Sequence, residues 1–133
     1  MKKAGFTVLE LVIAVIILAI LVSIAIPTYI VTMERTRANE AIATLRTMHA
    51  AERTYFSERR IYTDLIVGDD DGWTTVGLEN PNNNNQRSFN YEYSADPAAG
   101  GGTATRISGP NSTETITISH DGVIDDSSWT PEP

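Results

Sequence analysis

Apolar and polar residues are segregated along this chain rather than mixed. From Leu11 to Ile26 it reads LVIAVIILAILVSIAI, interrupted only by Ser23. Counted back to Phe6, the run is about 21 residues, enough to span a hydrocarbon core of roughly 30 Å. It is apolar on every side, so periodicity selects no face, and lipid or a buried bundle is the surrounding that suits it. A single segment in lipid must pair its own backbone groups, which leaves helix as its conformation despite the many Ile and Val. Pro27 removes one donor and should bend this helix rather than end it, because a helical pattern resumes beyond. Ala38, Ile42, Leu45, Met48, His49, Tyr55 and Phe56 recur at helical spacings and define one face. Arg35, Arg37, Glu40, Arg46, Arg53 and Glu58 supply the rest of the surface. A rod from Phe6 to Ser57 would be about 78 Å long.

After Ile61 the pattern changes to turns and short strands. Gly68-Asp69-Asp70-Asp71-Gly72 reads as an acidic turn, and Asn80–Gln86 (NPNNNNQ) as an exposed low-complexity loop. Phe89, Tyr91 and Tyr93 alternate with polar residues, the mark of a half-buried strand. Ala98–Gly102 reads as a flexible connection and Thr103–Ser108 as a weak strand. Thr113–Ser119 alternates with Ile116 and Ile118 on one face, and His120-Asp121-Gly122 turns the chain into Val123-Ile124. The expected fold is α+β: a long N-terminal helix with a small antiparallel sheet of three to four strands packed on its outer half. So little sheet makes a thin core alone, so the helix face must complete it. The segments are 1–5 as a leader, 6–27 as the apolar helix, 28–60 as its amphipathic continuation, and 61–133 as the loop-rich β part.

Composition sharpens this picture. The chain has 133 residues, no cysteine and a net charge of −7. Mean hydropathy is −0.15, an average that conceals the segregation. Lys2 and Lys3 precede the apolar run, and from Gly68 onward two Arg stand against eleven acids. Positive residues before a hydrophobic segment keep that end cytoplasmic and send the remainder across. An acidic outer part argues against direct nucleic-acid binding, which needs clustered Lys and Arg. Without cysteine there is no disulfide framework and no thiol nucleophile.

Three readings of the N-terminus compete. Lys2-Lys3, the run from Leu11 and Ser23-Ile24-Ala25 could form a cleaved secretory signal, or the segment could be a plain signal anchor. The third is a leader cut before the run, leaving it in the mature protein. Glu10 discriminates, because a carboxylate costs up to about 2.5–3.5 kcal/mol at the centre of an inserting helix. A cut between Gly5 and Phe6 would remove both lysines and create a cationic amine on Phe6. Glu10 of one helix could then meet the Phe6 amine of another. At about 4 Å and an effective dielectric near 20 this attraction is roughly 4 kcal/mol, and such a pair fixes axial register.

Lys2-Lys3-Ala4-Gly5-Phe6-Thr7-Val8-Leu9-Glu10-Leu11 resembles the prepilin leader of type IV pilins and type II secretion pseudopilins. The resemblance implies that a prepilin peptidase/methyltransferase cuts after Gly5 and methylates Phe6. It places Thr7 second and Glu10 fifth in the mature chain, as assembly residues together with Phe6, and Pro27 at the family's kink. Ala19 departs from relatives that carry a helix-breaking glycine there. The function so implied is a structural pilus subunit serving adhesion, motility or DNA uptake. The alternatives are a minor pilin or pseudopilin, or a membrane-anchored or secreted binding module. Implied partners are other copies in a homo-oligomeric helical filament, an inner-membrane assembly platform and, before assembly, membrane lipid. The precursor would sit in the inner membrane with a cytoplasmic N-terminus, and the filament at the cell surface.

Other chemistry is sparse. Pseudopilins hold calcium in a C-terminal loop, which makes Asp121, Asp125 and Asp126 the calcium candidates; no other cofactor is expected. Asp69-Asp70-Asp71 lacks the alternating ligand spacing of a calcium loop and reads as a solvated turn. Asn111-Ser112-Thr113 matches a glycosylation sequon but also ordinary turn chemistry. His49 has no second ligand at metal spacing, and Tyr29, Tyr55, Phe56 and Tyr62 read as core or interface aromatics. No triad or phosphate loop can be assembled, so no enzyme is expected. With no disulfide available, sheet pairing, Trp129 packing or a metal is left to staple the C-terminal region.

Overall fold

The computed structural model describes residues 5–109 and 111–130. Lys2, Lys3 and Ala4 of the leader, Pro110 and the last three residues lie outside the described residues. Helix α1 spans Val8–Arg59, 52 residues or about 78 Å, and passes through Pro27 without interruption. Arg60 ends it in a left-handed conformation at φ 62°, its N–H donating to Phe56 O. A short helix α2 (Asp71–Thr75) and a 3-10 turn (Pro81–Asn83) lead into four strands. These are β1 (Phe89–Ser94), β2 (Gly101–Arg106), β3 (Thr115–Ser119) and β4 (Ile124–Asp125), in the order β1-β2-β3-β4 and antiparallel throughout. The expected α+β architecture is therefore the observed one, with the sheet on the outer half of α1.

The core lies between α1 and the sheet. Ala38, Ala41, Leu45 and Met48 of α1 meet Phe89, Tyr91, Tyr93, Ala104, Ile116 and Ile118, with Leu65 and Trp73 closing the side. The alternation of β1 and β3 seen in the sequence is the alternation of burial observed. On α1 the buried stripe is shifted from the expected one. Ile42, Tyr55 and Phe56 are only half-buried, while Glu34, Ala41 and Glu52 are inside.

Three further differences have physical reasons. Strand β2 begins at Gly101, inside the stretch read as a flexible connection, because the helix comes too close for side chains. A Cβ on Gly102 would lie 2.8 Å from Ile118 Cγ2 and 3.0 Å from Leu45 Cδ2. The Asn-rich segment is not simply an exposed loop. Asn80 and Asn82 are buried, and Asn82 pairs with the backbone of Tyr91 as a neighbouring strand would: Nδ2 donates to Tyr91 O at 2.8 Å and Oδ1 accepts Tyr91 N–H at 2.8 Å. Trp73 is fully buried within the acidic stretch, its indole N–H donating to Ile66 O at 3.1 Å.

Side chains and sheet pairing hold the C-terminal region. Trp129 packs on Phe89 with ring centroids 5.6 Å apart, and Glu114 Oε2 accepts the Thr130 N–H at 3.0 Å. Asn111 donates to Thr130 O, and Ser128 Oγ donates to Thr115 O at 2.6 Å. Asn111, the sequon asparagine, is thus buried and engaged with the tail.

Candidate functional site

The stem of α1 is the most unusual surface of the molecule. Its apolar window is wholly unburied, and Phe6 at its tip is 88% exposed. Length and apolarity suffice to cross a membrane. The few hydroxyls along the stem turn back onto the helix: Ser23 donates to Ile20 O, Thr28 to Ile24 O and Thr32 to Thr28 O. Such internal bonding suits a helix whose surroundings offer no water. The Thr28 bond engages a carbonyl in the turn before Pro27.

At the tip, Thr7 caps α1 and Glu10 completes a reciprocal capping box. Thr7 Oγ1 accepts the Glu10 N–H at 3.3 Å, while Glu10 Oε2 accepts the Thr7 N–H at 2.9 Å and its hydroxyl at 2.8 Å. Glu10 therefore has a local use that the sequence argument did not give it. The same box folds the carboxylate back towards the first turn, beside Phe6 and at the positive end of the helix dipole. Gly5 is exposed, and a Cβ there would meet nothing within 4 Å, so the fold itself places no demand for glycine at this position.

Behind the stem, two acids of the head are buried among the described residues. Glu34 is matched by Arg106, whose Nε and Nη2 reach its two oxygens, and by Arg37 one turn away. Burial pushes the Glu34 carboxyl up, but the two arginines outweigh it and hold it below the usual range. Glu52 has no such partner: burial, opposed by the Thr63 N–H and reinforced by the charge of Asp64, pushes it up to about 7. Neighbouring His49 faces Tyr93 Oη at 3.5 Å, and His120 Nδ1 lies 3.0 Å from the same hydroxyl. His120 Nε2 lies 2.8 Å from the Asp96 carbonyl, which can only accept, so that nitrogen carries a proton. Burial and the charges of Arg53 and His120 push the His49 imidazole down, and burial pushes the Tyr93 phenol up.

The aspartate candidates are scattered in their engagements. Asp125 Oδ1 accepts the Ser127 N–H at 2.9 Å, and hydrogen bonds from Ser127 hold its carboxyl low. Asp126 contributes its carbonyl to Trp129 N–H, and Asp121 sits exposed in the β3–β4 turn. The described residues contain no group of three or more His, Cys, Asp or Glu placed to hold a metal ion. Asp70 instead receives Asn80 at 2.7 Å and Asn83 at 3.1 Å, tying the acidic stretch to the Asn-rich one. Of the aromatics, Phe56, Tyr62 and His120 stack in succession at 4.5 and 4.1 Å, whereas Tyr29 is exposed on the stem.

Glu34, Glu52, Asn82 and Trp73 were the structural residues sequence reasoning passed over. For the two glutamates the signal existed: both fall in phase with Ala38, Ala41, Leu45 and Met48 on one helical face.

Comparison with known proteins gives two likenesses. Residues 1–26 match the family model described as the prokaryotic N-terminal methylation motif. The chain is 40% identical over 64 residues to the type IV major pilin protein PilA of Myxococcus xanthus (strain DK1622). That alignment covers 48% of this chain and 29% of the relative, so the chain matches under a third of the relative's length. No solved structure matches. Both likenesses bear out the resemblance to type IV pilins carried by Lys2 to Leu11.

Proposed function

We propose that this protein is the structural subunit of a type IV pilus-like filament and polymerises through the stem of α1. The observation that carries this reading is a stem with no buried surface joined to a head whose core is already closed. A long apolar helix of that kind is satisfied first by lipid and then by the stems of other copies. In the precursor, Lys2 and Lys3 hold the N-terminus in the cytoplasm and α1 anchors the chain in the inner membrane. A prepilin peptidase/methyltransferase cuts after the exposed Gly5, methylates Phe6 and removes the topological signal.

The cut creates a cation on Phe6, the residue immediately before the capping box, within the region to which Glu10 is already turned. In a bundle of stems, the Glu10 carboxylate of one copy meets the Phe6 amine of the next, and the pair sets axial register in a low-dielectric surround. An inner-membrane assembly platform extracts each subunit as this contact forms. Among the uses of such a filament, surface adhesion or motility suits the acidic head better than contact of its wall with DNA. A minor pilin or pseudopilin has the same stem.

Replacing Glu10 with Ala tests the register contact. The variant is expected to insert into the membrane normally and to yield few or no filaments; filaments in ordinary number would remove the contact from the account.

A further inference from the structure

Glu52 has no exposed surface and lies on the buried face of α1 beyond His49. Its Oε2 accepts the Thr63 N–H at 3.1 Å, while Oε1 is buried without a hydrogen-bond partner among the described residues. Asp64 after the helix and Tyr93 from β1 interact electrostatically with it, and His49, which faces the Tyr93 hydroxyl and feels the charge of Arg53, lies one turn earlier on α1. Behind Tyr93 stand His120 and Asp121 of the β3–β4 turn. Neither ion pair found among the described residues includes Glu52. A buried carboxylate without a cation is costly, so the neutral acid is the favoured form in this setting.

The segment that Glu52 holds is a strap on an open sheet edge. Leu65 exchanges both backbone bonds with Tyr93, each at 2.9 Å, and Asp64 Oδ1 accepts the Ala95 N–H at 2.7 Å. Because β1 is an edge strand, residues 63–65 cover groups that would otherwise be free to pair with another chain. We propose that Glu52 is a proton-operated latch for this strap: the neutral acid keeps residues 63–65 on β1, and the carboxylate draws water into the junction and releases them. Release uncovers the backbone donor and acceptor of Tyr93, while Asn82 still covers those of Tyr91.

The sign follows from the raised proton affinity of the closed form. Burial lifts Glu52 from 4.5 to about 7, so closure is strongest below the pKa of the open, hydrated carboxyl. It weakens as pH rises from there through about 7 and is constant above.

Hydrogen exchange of the full-length protein in detergent micelles, corrected for intrinsic exchange, reads the latch at the Leu65, Tyr93 and Ala95 amides. Their protection should fall at least about tenfold between pH 5 and 7.5, while the amides bonded between β2 and β3 keep theirs. In Glu52→Gln the fall should vanish. Protection that does not change with pH in the native chain, or the same fall in Glu52→Gln, would overturn the proposal. Should Glu52→Gln fail to fold, Asp64→Asn keeps the acceptor for Ala95 but removes the charge that raises Glu52. The midpoint should then move to lower pH, and an unmoved midpoint would also overturn the proposal.

Discussion

Arg106 and Glu34 stand 72 positions apart in the chain and meet in a two-pronged ion pair inside the head. Nε donates to Oε2 at 3.1 Å and Nη2 to Oε1 at 3.0 Å. The remaining guanidinium nitrogen donates to Ser88 O at 2.8 Å, and the Phe89 ring lies 5.6 Å from Arg106 Cζ. The last residue of β2 is thereby fastened to α1 near the point where the stem enters the head. Both partners are almost wholly buried, so the pair fixes the place of the sheet along the helix more than it adds net stability.

Arg106→Leu leaves Glu34 with Arg37 as its ion-pair partner. It should destabilise the head by about 3–5 kcal/mol in urea unfolding, whereas Glu34→Leu/Arg106→Leu should recover most of that loss. A double variant as unstable as the single one would show that packing, not the loss of the Arg106 charge beside Glu34, sets the cost.

Acid should weaken the same junction. The Glu34 carboxyl titrates below its ordinary range in the folded head, so its stabilisation is present above the unfolded pKa near 4.5 and is lost as pH falls through the folded value. Unfolding midpoints followed from pH 6 downward should decline more steeply in the native chain than in Glu34→Gln/Arg106→Leu. Parallel curves would remove Glu34 from the acid response.

The architecture was legible where one period ruled a segment. Phe89, Tyr91 and Tyr93 announced β1, Ile116 and Ile118 announced β3, and the unbroken run from Leu11 announced the stem. Boundaries failed where tertiary contact overrode local chemistry. Gly101 and Gly102 look like loop residues, yet they serve a strand that Leu45 and Ile118 approach too closely for larger side chains. Asn82 sits in a monotonous polar tract, and its strand-like pairing with Tyr91 depends on a fold that brings residues nine apart face to face. At the stem tip, residue order points to Gly5, Phe6 and Glu10, and Thr7-Val8-Leu9-Glu10 is also the sequence form of a capping box, a role that the resemblance of Thr7 to a family position hides.

Asn82 carries the next prediction. Asn82→Ala removes both bonds to Tyr91 and leaves a buried N–H and C=O unpaired, which should cost about 1–3 kcal/mol. Exchange at the Tyr91 amide should rise with it. Unchanged Tyr91 protection would mean that the Asn82 contact does not guard the edge of β1.

Tail closure without a disulfide is also open to test. Trp129→Ala removes the ring packed on Phe89 and should destabilise the head by about 1–3 kcal/mol, the half-buried position keeping it below a full core loss. The Thr130 amide, held by Glu114, should lose protection in the same variant. A stable head with an exchanged Thr130 amide would show that the tail closes nothing.

The central claim is that the chain is cut between Gly5 and Phe6 and keeps its apolar stem. Intact mass and N-terminal peptide sequencing of the protein sheared from cells test it most directly. The account predicts a chain beginning at N-methylated Phe6, with Glu10 in the fifth position of the mature protein. A chain beginning at Ile26 would contradict it, since the stem would then be a discarded signal peptide and the head a soluble exported domain.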